Sequence, residues 1–526
     1  MKKFFILFII LTFIANIALI AQNKTYFISP SGNDSNSGLS IHNPWKTIKR
    51  VNQQTFQPGD AILFETGGEW QGQLEPKGSG VKGSPIILAS YGKDEKPVIN
   101  LGSAEGAAIR LINQSWWEIK NMEITSGAQP EMGIGRQGIV ALVEGENTQI
   151  NHIVIKDCFI HDIWGQLGGN TEYTGYHSAG IFVGKILGRD YGDSTRANDV
   201  VIKNNQLERI DKCGIVVFGG LNGVLVRGNE MENLGGDGIF VNGPNKGVIE
   251  HNVVRRSCLR SGDPDLEKAE EWWPHTAAIW IQDCYKTVMQ YNEVYDTGRQ
   301  PRNGDGFSYD FDFNCRKCTL QYNYSANGNG LLLIMNRTYN NVARYNISQN
   351  DQTHLIQMHG NIEDGNIIHN NIFYVDHSTV NIDYYTGGDG EADKQKLGAT
   401  FKNNIFYAND QGRFQTVYTQ GPAWDRQFND SVKISKPFSN NCYFGEWLNG
   451  LPDDPEKVVA DPMFVAPGTG GVGLSSLKGY MLKRKSPCIN AGASVSENSK
   501  KDFFGNPIND GTPDIGVYEQ IGSKLK

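Results

Sequence analysis

Three carboxylates lie within eight residues of one another, at Asp305, Asp310 and Asp312. If this segment is a β-strand, Asp310 and Asp312 point to the same side, with Cα atoms about 7 Å apart. Carboxyl groups this close raise the pKa of one member, which can then protonate a departing oxygen while the other attacks or activates water. Hydrolysis of a glycosidic bond needs this arrangement. We take Asp310 and Asp312 as the candidate catalytic pair, and Asp305 as the substitute if the strand register slips.

Other interpretations of these aspartates stay open. Asp305 precedes a glycine, as Asp237 does, and Asp-Gly is ordinary turn chemistry. Asp310 and Asp312 can instead bind calcium, which prefers oxygen ligands, or be plain solvated side chains. The hydrolytic interpretation itself requires no cofactor.

A short phrase recurs through the chain and predicts the elements that position these residues. An apolar residue, two variable residues and an asparagine precede an apolar stretch, at spacings of 23 to 40 residues; Met122 and Cys158 occupy the same place in two earlier turns. A base period near 23 in a chain rich in β-formers predicts stacked coils of short strands, with the asparagines hydrogen-bonded in a ladder. The aligned asparagines are Asn205, Asn229, Asn252, Asn292, Asn323, Asn346, Asn371, Asn404 and Asn441.

Each repeat ends in a strand of the type Gly-Ile-x-Val, whose side chains alternate between the two faces. The residues predicted to point inward are Ile181, Ile215, Ile239, Ile279, Phe307 and Leu331. The residues predicted to point outward are Gly184, Phe218, Asn242, Gln282, Asp310 and Ile334. Insertions at 164–177, 257–274 and 298–304 precede strands of this set, and insertions on one face often mark a binding face. We expect them to wall a groove along the stacked strands.

Several residues around this groove are candidates to bind a sugar, because aromatic faces stack on sugar rings and Arg or His can hold hydroxyl or acidic groups. His177 and His275 each lie two residues before a strand, and a structural role for either stays open. Asp383 lies about three coils from Asp310, too far for the two acids to pair. The candidate substrate contacts are His177, His275, Trp272, Trp273, Arg299, Arg302, Asn336 and Arg337, with Trp164 as a further wall residue.

The repeat and both ends of the chain resemble secreted carbohydrate enzymes with a right-handed parallel β-helix. The resemblance rests on the opening from Tyr26 to Gly38, on Pro58-Gly-Asp60, and on Asp461 to Phe464 and Asp514 to Gly516 in the tail. It implies an all-β fold, a single-stranded right-handed parallel β-helix with an N-terminal capping helix and T-loop insertions. The fold hosts both hydrolases and lyases, so it predicts architecture better than reaction.

The segment from Pro44 to Phe56 is the predicted cap, because it can form a short amphipathic helix over the exposed edge of the first coil. We predict a signal peptide over residues 1–21, a cap with the first coils over 22–100, the β-helix over 101–445, and a last coil with a capping tail over 446–526. The signal peptide follows from two lysines ahead of an apolar run, and predicts secretion or export to the periplasm.

Composition and cysteine content limit the function classes further. The net charge of −8 argues against nucleic-acid binding, and we expect a monomer that does not associate with membranes once the signal is removed. Cys315 and Cys318 resemble half a zinc site, but no second pair follows, so we interpret them as structural. Cys284 and Cys315 each precede a ladder asparagine by eight residues, which predicts adjacent thiols, either bonded or free.

Three functions fit the sequence. The first is a secreted glycoside hydrolase that cleaves a polysaccharide or oligosaccharide with paired aspartates. The second is a polysaccharide lyase, which needs a base and a cation that neutralises a uronate; Arg299, Arg302 and Arg337 can serve, but no column of lysines stands out. The third is a non-catalytic glycan-binding β-helix. The Gly-His-Gly turn of polygalacturonases is absent, which weakens an assignment to pectin.

Overall fold

The computed structural model describes residues 23–127, 135–165, 178–185, 195–259, 276–299, 305–359, 365–385, 398–419, 437–496, 498–508 and 511–521. Within these ranges the strands form three sheets, two of 14 strands and one of 12. Between Ile86 and Trp447, each coil contributes one strand to each sheet. For example, Val248–Glu250, Val253–Arg255 and Ala277–Gln282 follow one another before Val288–Gln290 returns to the first sheet. The prediction of an all-β solenoid is confirmed.

The strands of the first sheet are Thr25–Ile28, Ala61–Glu65, Ile86–Tyr91, Trp117–Lys120, Gln149–Lys156, Arg196–Lys203, Leu225–Arg227, Val248–Glu250, Val288–Gln290, Thr319–Gln321, Val342–Arg344, Asn366–His369, Ala399–Lys402 and Phe438–Ser439. The strands of the second sheet are Glu69–Gln71, Val98–Asn100, Glu123–Thr125, Phe159–Ile163, Gln206–Ile210, Glu230–Leu234, Val253–Arg255, Glu293–Tyr295, Tyr324–Ala326, Ile347–Gln349, Ile372–Val375, Ile405–Ala408, Cys442–Phe444 and Val458–Val459. The strands of the third sheet are Gly106–Ile112, Arg136–Val143, Ala179–Lys185, Cys213–Phe218, Ile239–Asn242, Ala277–Gln282, Phe307–Phe311, Leu332–Ile334, His354–Met358, Thr379–Tyr385, Arg413–Thr419 and Glu446–Trp447.

Two short helices lie near the ends of the described chain. An α-helix over Ile48–Asn52 begins after Thr47, whose hydroxyl accepts a hydrogen bond from the Arg50 N–H. Its buried residues Ile48 and Val51 join the main core, so a helix forms where the sequence predicted one, while its action as a cap on the first coil stays a prediction. A 3₁₀-helix covers Leu474–Tyr480. No helix in the described ranges has the length and apolar character needed to span a bilayer.

The predicted asparagine ladder is confirmed and runs through the buried interior. From Asn205 to Asn404, each side-chain amide donates to the carbonyl oxygen of the next ladder asparagine at 2.9–3.0 Å. The same oxygen accepts the backbone N–H of the preceding asparagine. Cys158 lies in the predicted place, since its N–H donates to Asn205. Asp454 ends the ladder by accepting from both the backbone and the side chain of Asn441.

Replacing one ladder residue is expected to destabilise the whole solenoid. Asn292→Ala removes the acceptor of Asn252 and leaves the Ile249 carbonyl without its donor, in a fully buried position. Because each orphaned buried group costs about 1–3 kcal/mol, we expect the free energy of unfolding to fall by roughly 2–4 kcal/mol. Urea unfolding followed by circular dichroism measures it. Asn222→Ala is the matched control, because that exposed side chain should leave the midpoint unchanged.

A second, shorter ladder occupies another corner of the coil. Asn341 accepts the Cys318 N–H and donates to Asn366, and Thr287, two coils before Asn341, accepts the Gly247 N–H. The sequence analysis missed this ladder because three residue types share the position.

The tail packs along the outside of the second sheet. Tyr295, Tyr324 and Tyr374 form a second hydrophobic core with Leu477 and Tyr480 of the tail. This contact explains why the outer face of that sheet carries Tyr324, Ile347, Ile372 and Tyr374 and not charged side chains.

The predicted register of the cysteines is confirmed. Tyr285 pairs with Arg316, which places Cys284 beside Cys315 on adjacent coils. No disulfide joins the two thiols. They donate instead to backbone carbonyls, Cys284 to that of Gln282 and Cys315 to that of Ile281.

Candidate active site

The candidate catalytic strand lies in the third sheet, with its aspartates on the outer face. Tyr309 pairs with Ile279 and Leu332, and Asp310 pairs with Trp280 and Leu333. Ile279 and Tyr309 belong to the interior core. Asp310 and Asp312, one and three residues further on, therefore face outward as predicted.

The predicted register of this strand was wrong by two residues. The sequence placed Phe307 beside Ile279 and Asp310 beside Gln282, and it aligned Asp305 with Asp237. The structure puts Tyr309 beside Ile279 instead, so that Asp310 lies beside Trp280 and Asp305 lies outside the alignment with Asp237. A shift of two residues preserves the inward and outward faces, which is why the predicted orientation of the aspartates survives.

One further position was wrong in the neighbouring strand. Ile334 was predicted to face outward, but it pairs with Phe311 and packs in the interior core, while Leu333 takes the outer position. The run of Leu and Ile there contains no polar residue that marks a face, so the alternation could not be assigned from sequence.

Tyr309 holds the strand in this register. Its side chain is fully buried, and its hydroxyl donates to the Asn292 carbonyl at 3.1 Å or the Tyr324 carbonyl at 3.0 Å. Burial raises the pKa of Tyr309 well above its usual value, so the phenol stays neutral. The ring fills the position that isoleucines fill in preceding coils, and it fixes Asp310 next to it.

Asp310 is a buried carboxyl in an acidic environment. Only 6% of the residue is exposed, and no hydrogen-bond donor among the described residues reaches its Oδ1. Burial raises the pKa of Asp310 well above the usual range of an aspartate. The negative charges of Asp312 and Asp305 raise it further, followed by that of Asp237. Asp310 therefore keeps its proton at pH values where an ordinary aspartate is ionised, which suits a general acid.

Asp312 and Asp305 flank Asp310, with Asp312 directly after the strand Phe307–Phe311 and Asp305 in the turn before it. Asp312 is 8% exposed and its N–H donates to the Ile281 carbonyl, while Asp305 is half-buried. Gly306 separates Asp305 from the strand with φ of +109°, and a Cβ there would lie 1.9 Å from the Gly298 carbonyl oxygen. Only glycine allows this close approach, which brings the segment ending at Arg299 beside Asp305.

A buried ion pair stabilises the start of the neighbouring strands. Lys212 Nζ lies 3.4 Å from Asp237 Oδ2, with 2% and 0% of the two side chains exposed. Asp237 Oδ1 also accepts the Ala277 N–H at 3.0 Å. Burial alone lowers the pKa of a lysine, but the charge of Asp237, with smaller contributions from Cys213 and Cys258, raises that of Lys212 above its usual value. The sequence analysis missed Lys212, because a single lysine before a strand carries no pattern.

The outer face differs on the two sides of Asp310. On the N-terminal side, Phe240 and Trp280 stack with centroids 3.6 Å apart at 4°, in the positions directly before Asp310. On the C-terminal side, the same outer row continues through Leu333 to Gln357. Among the apolar residues on this N-terminal side, the sequence analysis predicted an outward position only for Phe218. Phe218 does face outward, in one cluster with Phe240 and Trp280.

Of the other predicted substrate contacts, Arg299, Asn336 and Arg337 lie in the described residues and the rest lie outside them. Arg299 is exposed next to the turn before Asp305. Asn336 and Arg337 lie in the turn after the third sheet, where Arg337 lines a polar hollow of about 280 Å³ with Asp283 and Arg316. They therefore lie beside the sheet edge and not over Asp310. Outside the described residues lie His177, Trp272, Trp273, His275 and Arg302, with most of the insertions at 164–177, 257–274 and 298–304.

No metal centre is visible in the described part of the chain. No group of three or more His, Cys, Asp or Glu side chains there is placed to hold an ion. Calcium at the aspartates stays a prediction.

With this geometry in hand, comparison with known proteins identifies the class of fold. Residues 191–421 match the family described as a right handed beta helix region. The predicted handedness is confirmed, as is the resemblance to β-helix carbohydrate-active enzymes.

Particular relatives narrow this class. The chain is similar to a lacto-N-biosidase of Bifidobacterium longum subsp. longum, with 27% identity over 617 aligned positions covering 95% of this chain. It spans only 36% of the length of that relative. Native and selenomethionine crystal structures of a GH136 lacto-N-biosidase from Eubacterium ramulus share the fold, with TM-scores of 0.57 and 20% identity, over 76% of this chain and 67% of each solved chain.

Proposed function

We propose that this protein is a glycoside hydrolase that acts on an oligosaccharide containing a lacto-N-biose unit, with Asp310 and Asp312 as its catalytic pair. The observation that carries the proposal is Asp310, a buried carboxyl with a raised pKa beside two further carboxylates on an outward-facing strand. Similarity to a lacto-N-biosidase along 95% of the chain supports the class of substrate.

In this proposal Asp310 is the general acid and Asp312 is the nucleophile or general base. Asp310 holds a proton because ionising it would place a charge in a buried and already negative environment. It therefore donates to the departing glycosidic oxygen. Asp312, two residues on and facing the same way, attacks the sugar or activates water from its carboxylate form. Asp305 stays the substitute for either role.

Side chains around the strand complete the site in this proposal. Trp280 and Phe240 supply an apolar floor next to Asp310. Arg299, beside the turn that holds Asp305, is placed to meet a sugar hydroxyl from the rim. His177, Trp272, Trp273, His275 and Arg302 stay predicted contacts on the walls.

A product assay tests the reaction type. The purified full chain is incubated with a chromogenic lacto-N-bioside, with neutral oligosaccharides containing lacto-N-biose, and with pectate and alginate. We expect new reducing ends from the neutral substrates and no ultraviolet-absorbing double bond. An unsaturated product from pectate or alginate would instead assign a lyase, and binding without turnover would assign a glycan-binding β-helix.

A further inference from the structure

We propose that the third sheet carries a polar subsite on the C-terminal side of Asp310, formed by Gln357, Asp383 and His354, that binds a neutral sugar unit through its hydroxyl groups. The inference rests on the proposed function for the presence of a glycan in the groove. It adds which side of Asp310 binds the sugar through its hydroxyl groups, and that this sugar carries no charge.

Gln357 and Asp383 lie on the outer face in line with Asp310, and His354 joins them through its contact with Asp383. Asp310 pairs with Leu333, and Leu333 pairs with Gln357. Ile356 pairs with Ile382, which places Asp383 next to Gln357 in the same outer row. At about 4.8 Å per coil, Gln357 lies roughly 10 Å and Asp383 roughly 14 Å from Asp310 along the solenoid. This row is long enough for the sugar units next to a bond cleaved at Asp310.

Gln357 presents an unsatisfied acceptor to the groove. The residue is 4% exposed, and no donor among the described residues reaches its Oε1. Buried polar atoms are nearly always hydrogen-bonded in native proteins. Asp310 Oδ1, two coils away in the same row, is in the same condition. Two buried acceptors on one outward-facing row indicate a place that a ligand with hydroxyl donors completes.

His354 and Asp383 supply the charged part of the subsite. His354 Nδ1 lies 3.3 Å from Asp383 Oδ1, and Asp383 is 3% exposed. The histidine orients the carboxylate and leaves its second oxygen for a ligand. A carboxylate and an amide oxygen side by side accept hydrogen bonds from sugar hydroxyls, and they repel the carboxylate of a uronate. The subsite therefore selects a neutral sugar.

The side before Asp310 offers different chemistry. Phe240 and Trp280 occupy the corresponding outer positions there, and they present ring surface with one N–H donor, the indole of Trp280, and no acceptor. The side chains that accept hydrogen bonds from sugar hydroxyl groups therefore lie on the C-terminal side. A substrate that binds both sides therefore enters the groove in one orientation.

Binding of two disaccharides tests the subsite without depending on turnover. Titration calorimetry measures lacto-N-biose and digalacturonate against the wild-type chain and against Gln357→Met and Asp383→Asn. We expect lacto-N-biose to bind and digalacturonate to bind far more weakly. Asp383→Asn should weaken lacto-N-biose about tenfold or more, and Gln357→Met about threefold to tenfold, because bonds to charged groups are the stronger ones.

Control variants and outcomes separate this inference from the proposed function. Gln321→Leu, on the outer face of the first sheet, should bind as the wild type does. Thermal midpoints confirm that each variant is folded. Hydrolysis with unchanged lacto-N-biose affinity in both variants would overturn the subsite alone. Binding that weakens as expected in a protein without turnover would overturn the hydrolase alone. Equal affinity for digalacturonate, or no binding of either disaccharide, would also overturn the subsite.

Discussion

Asp310→Asn is expected to lower kcat/KM by about 10²- to 10⁴-fold, because the variant removes the proton donor and keeps the shape of the side chain. Asp312→Asn should cause a loss of similar size by removing the attacking or activating carboxylate. Neither change should lower the thermal midpoint by more than a few degrees, since Asn can occupy both outward positions. Initial rates on the substrate found in the product assay measure the effect.

Asp296→Asn is the matched control. Asp296 is exposed, lies in a turn after the second sheet, and has φ of +54°, a conformation that Asn adopts readily. Its activity should equal that of the wild type. Near wild-type turnover in Asp310→Asn, together with a deep loss in Asp305→Asn, would move the acid role to Asp305. Full activity in Asp305→Asn, Asp310→Asn and Asp312→Asn alike would place the chemistry elsewhere in the chain.

The pH dependence gives an independent readout of the same site. Because the pKa of Asp310 is raised in the folded protein, activity should fall as pH rises through that value and the acid loses its proton. The sign for stability is the same. The favourable contribution of neutral Asp310 is complete below the unfolded pKa and is lost as pH rises through the folded one. Asp310→Asn should therefore gain stability relative to the wild type as the pH rises above the pKa of an unfolded aspartate.

The asparagine ladder shows what the sequence could predict. An asparagine side chain donates and accepts at once, so a ladder requires the same residue at the same place in successive coils, as at Asn229 and Asn252. Such a requirement leaves a visible repeat. The inward and outward faces of the strand that carries Asp310 could also be predicted, because alternation along a strand survives a slip by two residues. The face of Ile334 could not, since its strand contains no polar residue that marks one.

The parts that could not be predicted depend on contacts between distant segments. The two Asp-Gly pairs at Asp237 and Asp305 suggested that these aspartates occupy equivalent positions in their coils. They do not, because the large ring of Tyr309 fills the core position beside Ile279. Gln357 lies in a mostly apolar strand, and nothing in the sequence distinguishes it from the many other polar residues of the chain. Its significance appears only once register places it in line with Asp310.

Lys212→Met is expected to destabilise the protein by about 3–5 kcal/mol, because it leaves the carboxylate of Asp237 buried without its cation. Because Asp237 is fully buried, its carboxylate has no contact with solvent that could compensate for the lost ammonium group. This is a large share of the roughly 5–15 kcal/mol that stabilises an ordinary domain. Urea unfolding near neutral pH measures the change, and Lys483→Met, at an exposed lysine, is the control that should change little.

Removing the second charge should rescue much of this loss. In the double variant Lys212→Met with Asp237→Asn, the amide oxygen still accepts the Ala277 N–H, and no buried charge remains. We expect most of the lost unfolding free energy to return, since replacing both members of a buried ion pair costs far less than breaking it. Activity should return with it if Asp237 affects Asp310 only through its charge, because the pKa of Asp310 then falls slightly and the site keeps its shape. A double variant as unstable as Lys212→Met would show that the loss comes from packing of the lysine stem and not from the uncompensated charge.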